Sequence, residues 1–242
     1  MRAVAFSMGI IVLALAAIFG WNPFVSHVDP SDTLQPGYSS FESGTRRLPN
    51  GTYQVSALTR MPGVSAEMVR WWFAEFLQTS EHYSWWHPTD HVWMDWENKK
   101  RGEIVGASHL VHEYIGGELL KLRIQFVDPA EFFGFDPNDD DTFVICALPG
   151  LLEEPIFISK MCHVVRNTPW GAEMRSRFWM GHIAARNGDD ARQTLLTLVA
   201  NTALVRWFAV DGESAKGLLQ HAIEEMGYLS DLLPCIYVGG SD

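Results

Sequence analysis

Basic residues are scarce and scattered in this 242-residue chain, where 18 Lys and Arg stand against 29 Asp and Glu and give a formal net charge of −11. Basic neighbours occur only at Arg46–Arg47 and Lys99–Arg101. Phosphate binding needs clustered Lys and Arg, so a nucleic-acid partner is excluded. Cysteine is equally sparse. Cys146, Cys162 and Cys235 include no C-x-x-C pair, which excludes a thiolate zinc motif or a dithiol redox centre. Three residues allow at most one bridge within the chain, and buried thiols are the expectation. EF-hand spacing is also missing. The acidic run Asp136–Asp141 therefore reads as a solvated turn, not a calcium loop.

What the chain does have is apolar mass: 47% of its residues are hydrophobic, including ten Trp and fourteen Phe. That suffices for one large domain, or a domain with a small appendage. Most of the aromatics are expected in the core, and some can line a pocket for a flat organic ligand.

Residues 1–20 stand apart. Arg2 is followed by an almost unbroken apolar run from Val4 to Phe19 containing Ala14-Leu15-Ala16, which reads as a signal peptide or an uncleaved N-terminal anchor. The run is shorter than the roughly 20 residues of a comfortable span. Export, secreted or periplasmic, is therefore expected ahead of membrane attachment through this segment. Asn50-Gly51-Thr52 is a glycosylation sequon that matters only in a compartment that glycosylates. Residues 21–51, rich in Pro, Gly, Ser and Asp, predict a linker or extended arm. The folded body is expected to begin near Thr52, with a helical N-terminal part over 52–80. There Ser65 caps a helix running from Met68 to Gln78 and carrying Trp71, Trp72, Phe73 and Phe76.

Period-two patterning predicts strands at His91–Trp96, Ser108–Tyr114, Leu119–Val127, Thr142–Leu148, Pro155–Asn167 and Ala172–Gly181, with Gly116-Gly117 as a turn or bulge. Three- and four-residue spacing predicts helices at Asp189–Phe208 and Ser214–Leu233, the second stopped by Pro234. Strands followed by a long helix make the class α+β. A curved antiparallel sheet around the last helix would enclose a cavity.

His221 and Glu225 lie four apart on that helix, hence on one face, beside the apolar stripe of Leu218, Ala222 and Leu229. A carboxylate beside an apolar stripe needs a cation or a donor, because burying it unpaired is costly. A divalent metal meets that need. Further candidate ligands cluster upstream: His87, His91, His109, His112 and Glu113. On a strand His109, Val111 and Glu113 share a face while His112 takes the other. Arg175 and Arg177 alternate on a strand, and one of them is expected in a structural ion pair with Glu173 or another acid of the sheet.

Four separated segments, Tyr83–Val92, Val111–Glu118, Trp170–Trp179 and His221–Glu225, together resemble the 2,4-diacetylphloroglucinol hydrolase family, which includes phloretin hydrolase. The resemblance covers roughly residues 55–238. It implies a zinc-dependent hydrolase of carbon–carbon bonds, built as a small helical N-terminal part with a Bet v1-like sheet and long helix over 81–238. It implies zinc (Zn2+) held by two His and two Glu. His221 and Glu225 carry over directly, with His91 as the second His and His87 as its alternative, and Glu113 as the second Glu with Glu118 behind it. His163 and Tyr83 stand at the family's proton-donor and phenol-binding positions. Phe178 occupies a substrate-contact position where the family can carry a Tyr, which points to a different natural substrate.

The implied partner is a small aromatic polyketide or phenolic ketone, and a homodimer is admitted. Hydrolysing an acyl group off a phenol ring needs an activated water, a polarised ketone and a proton for the ring carbon. A non-catalytic carrier of aromatic ligands and a metal-dependent aryl esterase are the competing readings.

Overall fold

The computed structural model describes residues 30–237. The expected leader, and the arm up to residue 29, lie outside the described residues. Nine strands form one antiparallel sheet: β1 Gly44–Arg47, β2 Tyr53–Pro62, β3 His91–Glu97, β4 Ser108–Ile115, β5 Glu118–Val127, β6 Thr142–Leu151, β7 Ile156–Thr168, β8 Gly171–Asn187 and β9 Asp190–Arg192. Their order is β1-β2-β8-β7-β6-β5-β4-β3, with β9 on β8. The helices are α1 Ala66–Trp71, α2 Ser80–Trp86, α3 Ala130–Phe133, α4 Leu195–Ala200, α5 Ala203–Ala209 and α6 Gly212–Ile236.

The long helix α6 packs on both β2 and β4. Those strands lie five steps apart in the sheet. A flat sheet would separate them by roughly 24 Å at about 4.8 Å per step, too far for one helix to touch both. The sheet therefore curls around α6, and the α+β architecture expected from the sequence is observed.

The strands expected from period-two patterning are present, and several extend further. Four expectations are corrected. The stretch 52–80 opens with the ten-residue strand β2 rather than a helix. Val55, Ala57, Thr59 and Met61 all alternate inward there and are buried, but Ala and Thr dilute the signal. The arm adds β1 to β2's free edge. Asp189–Phe208 is not one helix, because Thr194 and Thr202 each accept from the backbone N–H three residues on and so start α4 and α5 separately. Pro234 does not stop α6, which runs to Ile236; in the last turn a proline forfeits a single backbone bond, and Tyr237 N still bonds the Leu233 carbonyl at 2.9 Å.

The aromatic helix also differs in its second half. After Trp71 the hydrogen bonding widens to a π turn over Trp72–Phe76, closed by Leu77 N on the Trp72 carbonyl at 2.9 Å. Buried thiols are corrected as well: Cys146 and Cys162 form a disulfide with Cα atoms 4.1 Å apart. The β6–β7 register sets them directly opposite each other. Cys235 is free and exposed. The loop Asp136–Asp141 is an exposed turn, its Asp136 and Asp139 carboxylates accepting backbone N–H groups two residues on.

Arg175 and Arg177 are both ion-paired, though with the arm and not with Glu173. Arg175 reaches Glu42 at 3.1 Å and the carbonyls of Thr33, Gln35 and Gly37. Arg177 reaches Asp32 and Glu42, each at 3.4 Å. Both side chains leave the outer face of β8, opposite Met174 and Phe178 of the inner core.

Candidate metal centre

Three elements deliver the four residues His91, Glu113, His221 and Glu225. His91 opens β3 as the direct cross-strand partner of Glu113 on β4. Gly116 and Gly117, at φ +61° and +84°, make the tight turn into β5 that few other residues allow. A Cβ at Gly217 would fall 2.7 Å from Gly116 Cα, so helix and turn meet backbone to backbone. One turn after that contact, His221 faces β4, and Glu225 follows a further turn on. Both belong to the buried stripe of α6, with Ala222, Met226 and Leu229.

The four functional atoms converge. His91 Nε2 lies 3.8 Å from Glu113 Oε2 and 3.7 Å from Glu225 Oε2. His221 Nε2 lies 3.9 Å and 3.8 Å from the same two oxygens. Each imidazole nitrogen is thus flanked by both carboxylates, and His91, Glu113 and His221 form a group able to hold a metal ion. Tetrahedral zinc with bonds of about 2.0–2.1 Å sets ligand atoms about 3.4 Å apart, so each of these four His–Glu distances needs a contraction of about half an ångström at most. Glu225 stands outside the group whose ligand atoms all lie within 4.8 Å of one another and has further to move. None of these contacts is a hydrogen bond, and His91 Nε2 is a buried atom with no hydrogen-bond partner. Two imidazoles and two carboxylates form a donor set suited to zinc.

Surrounding groups hold these residues in place. His91 Nδ1 sits 3.0 Å from the Tyr83 carbonyl, which makes Nδ1 the protonated nitrogen and leaves the Nε2 lone pair aimed inward. The Tyr83 ring stacks on His91 with centroids 3.7 Å apart, and its hydroxyl donates to Glu113 Oε2. His221 Nδ1 lies 3.1 Å from Asp90 Oδ2, a carboxylate–histidine arrangement found around metal sites. Trp86 donates from Nε1 to the Glu225 carbonyl at 3.0 Å. Thr79 caps α2, accepting from His82 N, and that helix presents Tyr83 and Trp86 together inward.

Electrostatics reflect the crowding. Burial pushes the Glu225 carboxyl up to about 8, with Glu113 adding to the rise and His221 opposing it. For His221, burial acts downward, but Glu225, Glu113 and Asp90 together outweigh it and raise its pKa. Burial also holds His91 far below the ordinary imidazole range, with His221 contributing. The Tyr83 hydroxyl is driven up by burial and then by Glu113.

The alternatives lie elsewhere. His87 accepts from Asp90 N at Nδ1, which places its proton on Nε2, so it braces the loop that carries Asp90. It also forms a second group with Asp90 and His221, using the other side of the His221 ring. Glu118 is exposed at the start of β5. His109 is buried against Trp96 and edge-on to Tyr83, beside the centre but outside the group of four. His112 packs against Trp93 with the two rings tilted, on the other face of β4 from Glu113. His163 and Phe178 sit together on the inner face, 5.6 Å apart, with His163 Nδ1 2.7 Å from Ser176 Oγ; neither contacts the four. Burial lowers His163 to about 4, so it is neutral near pH 7. A cleft of about 290 Å³ between Arg70, Ile104, Phe126 and Phe143 shares no residue with the centre. The sequence reading missed Asp90 and Trp86. The first had a signal, since an acid next to a ligating His is well placed to orient a histidine.

The model of the DAPG hydrolase PhiG domain matches residues 25–238. The chain belongs to this family. It is 29% identical over 232 residues to 2,4-diacetylphloroglucinol hydrolase of Pseudomonas protegens, covering 86% of this chain and 72% of that one. It is 27% identical over 203 residues to phloretin hydrolase of Eubacterium ramulus, covering 80% and 70%. Among solved structures it is similar to protein Ms6760 of Mycobacterium smegmatis, with a TM-score of 0.45 and 11% identity over 81% of this chain and 99% of that one.

Proposed function

We propose that this chain is a zinc-dependent hydrolase that cleaves the acyl–aryl carbon–carbon bond of a phloroglucinol-type phenolic ketone. The observation that carries the reading is the alternating ring of two imidazoles and two carboxylates at 3.7–3.9 Å, in a member of the DAPG hydrolase family. His91, Glu113, His221 and Glu225 would hold the ion. Zinc supplies a Lewis acid that polarises a ketone oxygen and lowers the pKa of a water toward about 7.

The chain's own residues do the rest. The Tyr83 and Asp90 contacts keep both imidazoles in the tautomer that offers Nε2. Tyr83 holds Glu113 in place, so its hydroxyl serves the ligand before any substrate. His163, neutral and anchored on Ser176, is assigned to binding the phenol, where it would accept the hydroxyl proton and pass it to the ring carbon. Phe178 packs beside it and offers the ring an apolar edge without a hydrogen bond. That loss favours a substrate with one fewer polar substituent than diacetylphloroglucinol. The Cys146–Cys162 bridge supports export to an oxidising compartment.

The test is product analysis on zinc-loaded protein given acylphloroglucinols and, separately, aryl esters. Free carboxylic acid with a protonated ring from the ketone supports the proposal. Turnover of esters alone makes the chain an esterase, and tight aromatic binding without turnover or metal makes it a carrier.

A further inference from the structure

The pair of short helices after the sheet is built inside out. α4 turns Thr197 inward and α5 turns Arg206 inward, and both are buried. Arg206 is fully engaged there, by the Gly181 carbonyl at 2.6 Å, Asn201 Oδ1 at 2.7 Å and the Asn50 carbonyl at 3.3 Å. Asn201 in turn pairs with the Ile183 backbone at 2.9 and 2.6 Å. The outward side is apolar instead: Leu195, Leu196 and Phe208 are 84%, 78% and 81% exposed, and Val199, Leu204 and Trp207 are at least 59% exposed. Soluble monomers rarely show so continuous an apolar face. No Asp or Glu occurs between Asp190 and Asp211, although the chain as a whole carries −11.

The path of the arm supplies the second observation. Reading backwards, the Gln35 and Thr33 carbonyls bond Arg175, and Asp32 pairs with Arg177. The chain thus climbs the outer face of β8 toward Gly181 and Ile183, where α4 and α5 are fastened. Upstream of the arm, ten residues after the apolar run Val4–Phe19 precede Pro30. Ten residues reach about 33 Å when extended. The described chain thus begins at Pro30 on the face of β8 toward whose far end α4 and α5 are fastened, and the most apolar run of the sequence lies upstream of it.

We propose that the outward face of α4 and α5 is a membrane-docking surface that lies on a lipid bilayer. No described helix is long and apolar enough to cross a membrane, so the pair lies in the interface. Trp207 and Phe208 suit that depth, where amphipathic and apolar rings accumulate. In a chain that keeps its N-terminal segment, the apolar run upstream of Pro30 favours lipid over a second copy, because a weak patch tethered to a second membrane contact gains from raised local concentration.

The test uses the full-length chain with vesicles of phosphatidylethanolamine and phosphatidylglycerol, following amide hydrogen exchange over residues 194–209. Exchange there slows several-fold on adding vesicles. The double substitution Leu196→Asp with Phe208→Asp removes the slowing and leaves the melting temperature unchanged, since both side chains are exposed. Unchanged exchange in vesicle-bound protein means the N-terminal segment alone holds the membrane, and overturns the proposal. So does equal protection without lipid in a chain that light scattering finds dimeric. Neither readout involves the metal centre.

Discussion

Arg175 on the outer face of β8 and Glu225 on the inner side of the sheet are both buried ionisable groups, 1% and 8% exposed, yet their surroundings differ in kind. Arg175 meets three carbonyls and a carboxylate of the arm, and only its Nε lacks a partner. Glu225 meets two imidazoles without a hydrogen bond and shares its space with a second carboxylate. The first arrangement is saturated from within the chain, and its work is to fasten the arm. The second is left open toward a common centre, which is how a chain prepares to bind something it does not itself contain.

Breaking the open side should abolish function and spare the fold. His221→Ala and Glu225→Ala are expected to lose stoichiometric zinc, read by metal analysis, and to lose activity by about a thousandfold or more, the loss of several kcal/mol of charge stabilisation. Breaking the saturated side should do the reverse. Arg175→Ala leaves the Thr33, Gln35 and Gly37 carbonyls without their donor and Glu42 with Arg177 alone, and is expected to cost about 1–3 kcal/mol in urea unfolding, with one zinc per chain retained.

A milder change sharpens the contrast. Asp90→Asn keeps a hydrogen-bonding side chain beside His221 but removes the charge, and is expected to weaken zinc binding about 10–100-fold in competition with a chelator, at unchanged thermal stability. The smallest effect concerns pH. In metal-free protein Glu225 keeps its proton to about pH 8 when folded but releases it near its ordinary 4.5 when unfolded. Across that window the unfolded chain binds fewer protons, so metal-free stability falls as pH rises. The raised His221 acts in the same direction, favouring the fold below its unfolded pKa and losing that contribution as pH rises through the folded value. Urea titrations at the two ends of the window check this. Glu225→Gln should flatten the slope, and saturating zinc should reverse it.

How far the sequence foretold this differs between the same two regions. The inner side was legible, because its residues sit on regular elements: i and i+4 on a helix place His221 and Glu225 together, and alternation places Glu113 inward. That His91 stands opposite Glu113 depends on strand register, and that α6 approaches β4 depends on Gly217 against Gly116. Neither is written in local periodicity. The outer side was largely illegible. Its arm binds through backbone carbonyls of Thr33, Gln35 and Gly37, which every residue possesses, so composition alone read as linker. The Cys146–Cys162 bridge was hidden for the same reason, since sixteen residues of separation say nothing about register.

The most direct test of the central claim is X-ray absorption at the zinc edge on the purified protein, with His91→Ala and His87→Ala beside it. The account predicts one zinc with two nitrogen and two oxygen ligands at about 2.0–2.2 Å, a first shell that loses a nitrogen in His91→Ala and keeps it in His87→Ala. Zinc held through His87, or full activity in protein stripped of metal, would contradict it.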